Sequence, residues 1–188
     1  MNRLQLLSIT ALAAIGVARP AHADNVELRI ATLAPSGSPW MEVLDKANVG
    51  TATVAYEGDV LHVVWSSFVP EKNRFVLRWS KWLAGAAPSA PQTIGTGVLS
   101  ALTPSLAIDR GRFMLAWTNG DEQTATVKVG ASRNGIVAIP GLASVVSTPS
   151  VAARDPVVAL DGDVMFVAWK ELGTTEPEVH AASISCRE

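Results

Sequence analysis

The sequence predicts a mainly β protein: a partial array of antiparallel sheets built from about three repeats, preceded by a short strand-helix segment. Two observations predict it. Trp65, Trp117 and Trp169 recur at intervals of 52 residues, and other positions keep the same phase. Ala55, Ala107 and Ala159 lie ten residues before the tryptophans, and the acidic Glu57, Asp109 and Asp161 lie eight before. Shared register at so many positions marks a duplicated structural unit. Second, the residues around each tryptophan follow strand rules, with apolar runs bounded by acidic-glycine pairs.

Residues 1–23 have the parts of an export signal. Arg3 gives a positive start, and Leu4–Val17 is an apolar stretch shorter than the ~20 residues that cross a bilayer. Arg19 and Pro20 end it, and Ala21-His22-Ala23 supplies small residues around a variable one, so cleavage is expected after Ala23. The expected location is periplasmic or secreted, without membrane contact after cleavage. Residues 24–50 change character. Val26, Leu28 and Ile30 alternate with polar residues as in a strand, and Pro35, Gly37 and Pro39 punctuate a loop. Ser38 is a good helix cap, and Trp40, Val43, Leu44 and Ala47 form one apolar helical stripe, which predicts a helix over Pro39–Ala47.

Residues 51–188 hold the repeats, divided 51–102, 103–154 and 155–188. Each unit opens with a short strand that meets a turn. Glu57-Gly58 and Asp161-Gly162 fit a two-residue hairpin, and Gly111 sits one place later, so the middle turn is expected to differ. Apolar strands follow at Val60–Trp65, Phe113–Trp117 and Val164–Trp169, hydrophobic enough to predict burial on both faces. A third strand is expected around Phe75–Leu77, Val127–Val129 and Val179–Ala181. A fourth is expected near Ile94 and near Ile136–Ile139.

Three or four antiparallel strands per ~50 residues describe a propeller blade. The pattern A-x-D-G followed by V-A-W resembles the blades of sialidase-like bacterial β-propellers, which implies a β-propeller-like array. The catalytic set of that family cannot be assembled: Tyr56 is the only tyrosine, and Ser132-Arg133-Asn134-Gly135 is a decayed Asp-box. Val26–Ala47 resembles the mature start of the solute receptors of TRAP transporters, which implies periplasmic solute capture. A ring takes ~4 blades or more, so self-association to complete a propeller is expected.

Formal net charge is −2, which gives a nucleic acid no electrostatic footing. The single cysteine, Cys186, excludes an intrachain disulfide. Three histidines, one of them in the signal, give no metal cluster, and no phosphate-cradling loop is present. No cofactor is expected. Trp65, Trp117 and Trp169 are read as core residues of the repeat, with Asp109, Asp161, Gly58, Gly111 and Gly162 as its turn residues. His62 is read as a core residue too. Trp79 and Trp82 stand outside the phase and are flanked by Arg78 and Lys81. Aromatic faces beside polar donors suit a sugar ring, so these four are the candidate ligand-binding residues. The expected function is an exported, non-enzymatic binding module for a glycan, small molecule or protein partner. The alternatives are a TRAP-type solute receptor and an inactive or fragmentary sialidase-like hydrolase.

Overall fold

The computed structural model describes residues 28–32, 40–46, 48–83, 86–121, 123–173 and 176–185. The expected signal, its cleavage site and Cys186 lie outside them. Strand accounts for 65% and helix for 7%, so the mainly β array is the fold.

Strands β1 (Leu28–Thr32) and β2 (Trp40–Asp45) form an antiparallel hairpin. Over Trp40–Asp45 this corrects the helix expected at Pro39–Ala47, whose two end residues lie outside the described ones. The apolar spacing at Trp40, Val43 and Leu44 fits a helix, but so short a helix is costly to nucleate alone. Pairing with β1 satisfies the backbone instead, while Leu44 packs beside Trp65 and Asp45 bonds to it.

Three meandering sheets follow. The first is β3 (Val49–Glu57), β4 (Val60–Val69), β5 (Arg74–Leu83) and β6 (Gln92–Ile94). The second is β7 (Ala101–Asp109), β8 (Arg112–Asn119), β9 (Thr126–Ser132) and β10 (Ser144–Val145). The third is β11 (Ala152–Asp161), β12 (Val164–Leu172) and β13 (Pro177–Ser185). The fourth strand of the second unit is not at Ile136–Ile139. There Ile136–Leu142 is a 3-10 segment containing Pro140, which has no N–H to give a ladder. It crosses tightly over Gly130, where a Cβ would lie 2.9 Å from Ile139 Cγ2.

The hairpin turns between first and second strands begin one residue later than the acidic position. Glu57 pairs with Val60, Asp109 with Arg112 and Asp161 with Val164, leaving two-residue loops. In the outer two, Gly58 and Gly162 take positive φ (58° and 57°) at the first loop position, the arrangement of a II′ turn. In the middle one both Arg110 (48°) and Gly111 (73°) are positive, as in a I′ turn. The displaced glycine thus marks a different turn type.

The sheets stack face to face. Val64, Leu77 and Ile94 of the first pack on Phe113, Leu115 and Trp117 of the second. Met114, Ala116, Val127 and Val129 on the opposite face of the second pack on Met165, Val167 and Trp169 of the third. Leu28 and Leu44 of the hairpin cover Leu61, Val63, Trp65 and Trp82. Strand β8 is therefore buried on both faces, as expected, but β12 alternates between buried and open because nothing among the described residues covers its far side. The first strands β3, β7 and β11 lie beside one another at the hub. Ser105 Oγ accepts the Val158 N–H (3.1 Å) and Asp109 Oδ2 the Gly162 N–H (2.9 Å) across it.

Candidate functional site

Each hub strand breaks register near its start: between Val49 and Ala52, Leu102 and Ser105, and Arg154 and Val157. Thr103 (φ 42°) and Asp155 (φ 55°) occupy the same repeat position in left-handed backbone, each followed by proline. Positive φ is uncommon for any residue with a side chain and most so for a β-branched one. Such strain, about 1–3 kcal/mol per residue, persists where surrounding structure enforces it, and it clusters at functional sites. Here Thr118 of β8 enforces it. Its Oγ1 lies 2.5 Å from Thr103 Oγ1 and accepts the Asp155 N–H at 3.2 Å, so one buried hydroxyl pins two adjacent bulges.

The result is a half-exposed Asp155 carboxylate at one end of the hub, with Arg154 Nε 3.6 Å from its Oδ2. Arg154 Nε and Thr51 Oγ1, which stands at the equivalent place in β3, are buried without a hydrogen-bond partner among the described residues. These groups give the hub end one carboxylate with a guanidinium beside it. Asp121 sits at the same end, in the loop after β8. The hydroxyl and N–H of Thr124 and the N–H of Gln123 hold its carboxyl below the ordinary range.

The other hub end carries the recurring acids, and the described contacts of two of them lie within the array. Asp109 bonds to Gly162, as above. Glu57 lies 3.4 Å from His62 Nε2. Arg112, buried, reaches Asp163 at 2.8 Å and ties the second sheet to the third. Asp161, at the third equivalent position, is exposed.

His62 lies between the first two sheets, stacked on Trp79 (5.8 Å) and edge-on to Phe113 (5.2 Å). The Trp79 indole N–H donates to its Nδ1 at 3.2 Å. Burial holds its pKa below the ordinary 6.5, with Lys81 adding to the effect against the upward pull of Glu57. Because the folded value is lowered, the unfolded chain takes the proton first. The stabilisation is complete above pH 6.5 and is lost as pH falls toward the folded value. Urea midpoints should therefore fall from about pH 7 to about pH 5 in the wild type and flatten in His62→Phe.

The structure does not bring the four candidate ligand residues together. Trp79 and Lys81 project from one face of β5, and Arg78 and Trp82 from the other. Trp79 is packed against the core between the first two sheets. Trp82 is buried under the hairpin and donates its indole N–H to the Ala86 carbonyl at 2.6 Å. Arg78 faces Asp45 at 3.9 Å, and Lys81 is exposed. The bulges that do converge could not be located from residue types. Their one sequence signal is Pro104 and Pro156 in register.

Trp65, Trp117 and Trp169 are buried, and each faces the sheet that precedes it. Trp65 donates to Asp45 (2.8 Å) and Trp169 to Glu171 (2.9 Å), whereas the Trp117 Nε1 has no partner among the described residues. His180 is partly covered and stacks on Trp169 at 5.9 Å. No metal-binding group of three acidic, histidine or cysteine residues occurs among the described residues.

No protein-family model and no curated protein matches the chain. Among solved structures it is similar to an α-L-arabinofuranosidase from Lactobacillus brevis, with 12% identity and a TM-score of 0.50 over 75% of this chain and 56% of that one. The catalytic domain of a family 62 α-L-arabinofuranosidase from Coprinopsis cinerea gives 12%, 0.49, 73% and 46% in the same order. A family 43 endo-arabinanase from Bacillus licheniformis gives 16%, 0.45, 74% and 57%. The chain thus spans about half the length of these structures. The fold is of the β-propeller type found in glycoside hydrolases. This corrects the expectation of a non-enzymatic binding module: the solved structures that share the fold are glycoside hydrolases.

Proposed function

We propose that the chain is a glycan-processing β-propeller unit whose substrate meets the bulged end of the hub. The observation that carries this is the pair of strained bulges at Thr103 and Asp155, held by one threonine hydroxyl and presenting a half-exposed carboxylate. Asp155 would act on the glycosidic bond, with the partly exposed Arg154 guanidinium beside it contacting a sugar hydroxyl. Glycoside hydrolysis needs two carboxylates, and the loops at the same end carry Asp121 and Glu176 for the second role. The similarity to an α-L-arabinofuranosidase makes arabinofuranosyl glycans the first substrates to try. The leader over residues 1–23 would place the activity outside the cytoplasm. Sialidase-like descent rests on the blade pattern. A TRAP receptor role rests on Val26–Ala47, whose expected helix is replaced by β2.

The test is release of nitrophenol from aryl arabinofuranosides and other aryl glycosides. Asp155→Asn should lower turnover about 10²–10⁴-fold, the size of an acid-base contribution, with the circular dichroism unchanged. Absence of turnover across the panel, or full activity in Asp155→Asn, would overturn the reading.

A further inference from the structure

The outer face of the third sheet carries apolar side chains in the positions that the first two sheets use for stacking. In the second sheet Ala107, Met114, Ala116, Val127 and Val129 are covered by the third. The same repeat positions in the third are Ala159, Phe166, Ala168, Val179 and Ala181. Phe166 is 46% exposed and Val179 82%, with Val157 at 65% beside them. Val157, Ala159, Phe166, Ala168 and Ala181 line a shallow depression of about 450 Å³.

We propose that this face docks on the same face of a second copy of the chain, forming a two-fold dimer. Three features select this occupant. The face is the one that the first and second sheets each turn to the next sheet, so its side chains are already suited to covering by a sheet. The complementary tryptophan face of the first sheet is closed by Leu28, Leu44 and Asp45 of the hairpin, so a second copy cannot add there as a further blade. The charges also match. Asp161 lies at the turn end of the outer face and Lys170 toward the opposite end, paired in register with Arg154. A two-fold axis running across the strands sets Asp161 of each copy beside Lys170 of the other. Three strands of this length make a footprint of roughly 30 by 14 Å. That is about 400 Å² per copy, below the ~800 Å² per partner of standard interfaces, so a weak dimer dissociating at micromolar concentration is expected.

Sedimentation of the full-length chain across the micromolar range tests this. The wild type should pass from monomer to dimer. Phe166→Glu sets two carboxylates against each other near the axis and should raise the dissociation constant about 100-fold or more. Asp161→Lys should weaken the dimer, and adding Lys170→Asp should restore it. The charge variants keep the test informative should Phe166→Glu lose its sheet spectrum. A wild type that stays monomeric assigns the face to another cover and overturns the proposal. So does a dimer insensitive to these substitutions, or a double exchange that fails to restore association.

Discussion

Replacing Trp117 with alanine is expected to destabilise the array by about 3–5 kcal/mol, comparable with the whole stability of a small domain. The ring is 1% exposed and stands in the core between the first two sheets with Phe113, Leu115 and Leu77. Its removal leaves a cavity that strands hydrogen-bonded on both sides cannot close. Urea denaturation should show a much lower midpoint or no folded baseline. Phenylalanine separates shape from hydrogen bonding. Trp117→Phe costs volume alone, because its Nε1 has no partner among the described residues. Trp169→Phe also strips a donor from the buried Glu171, which should add about 1–3 kcal/mol. Equal losses in the two variants would contradict this assignment.

Glu171→Ala is the second large effect. One oxygen of the carboxylate, Oε1, accepts the Thr148 N–H at 2.7 Å and the Trp169 indole at 2.9 Å, and His180 stands 3.5 Å from the other. Alanine orphans both donors, and a loss of about 2–4 kcal/mol is expected. Burial pushes the Glu171 carboxyl up. The hydrogen bonds from Thr148 and Trp169, with His180 nearby, outweigh it and hold the carboxyl below its ordinary 4.5. A lowered folded value means that this stabilisation is present above pH 4.5 and is lost as pH falls through the folded value. The wild type should therefore weaken in acid over that window, and Glu171→Ala should show less of the decline.

The array was legible because duplicated packing leaves duplicated residues. Each sheet needs a large ring toward its predecessor, so tryptophan recurs at 65, 117 and 169. Each hairpin needs positive φ, so glycine recurs at 58, 111 and 162. The hairpin β1–β2 was misread because six residues satisfy a helical stripe as easily as a strand, and partner choice decides between them. The hub site was harder still. Strain at Thr103 and Asp155 is a property of backbone held by Thr118, fifteen residues away in one case and thirty-seven in the other. The candidate sugar platform failed for a related reason. Trp79 and Trp82 are close in sequence, but the pleat sends them to opposite faces.

The repeat tryptophan of each of the three meandering sheets points backward along the chain, and the other face of the first two sheets receives the next ring. Each unit is thus a stud on one side and a socket on the other. Duplicating one 52-residue stretch in the gene extends such a row without altering either neighbour. A sheet inserted in reverse would set stud against stud. Growth by tandem copying therefore has a built-in polarity, and the row can lengthen in one direction of the chain without new surface chemistry being invented.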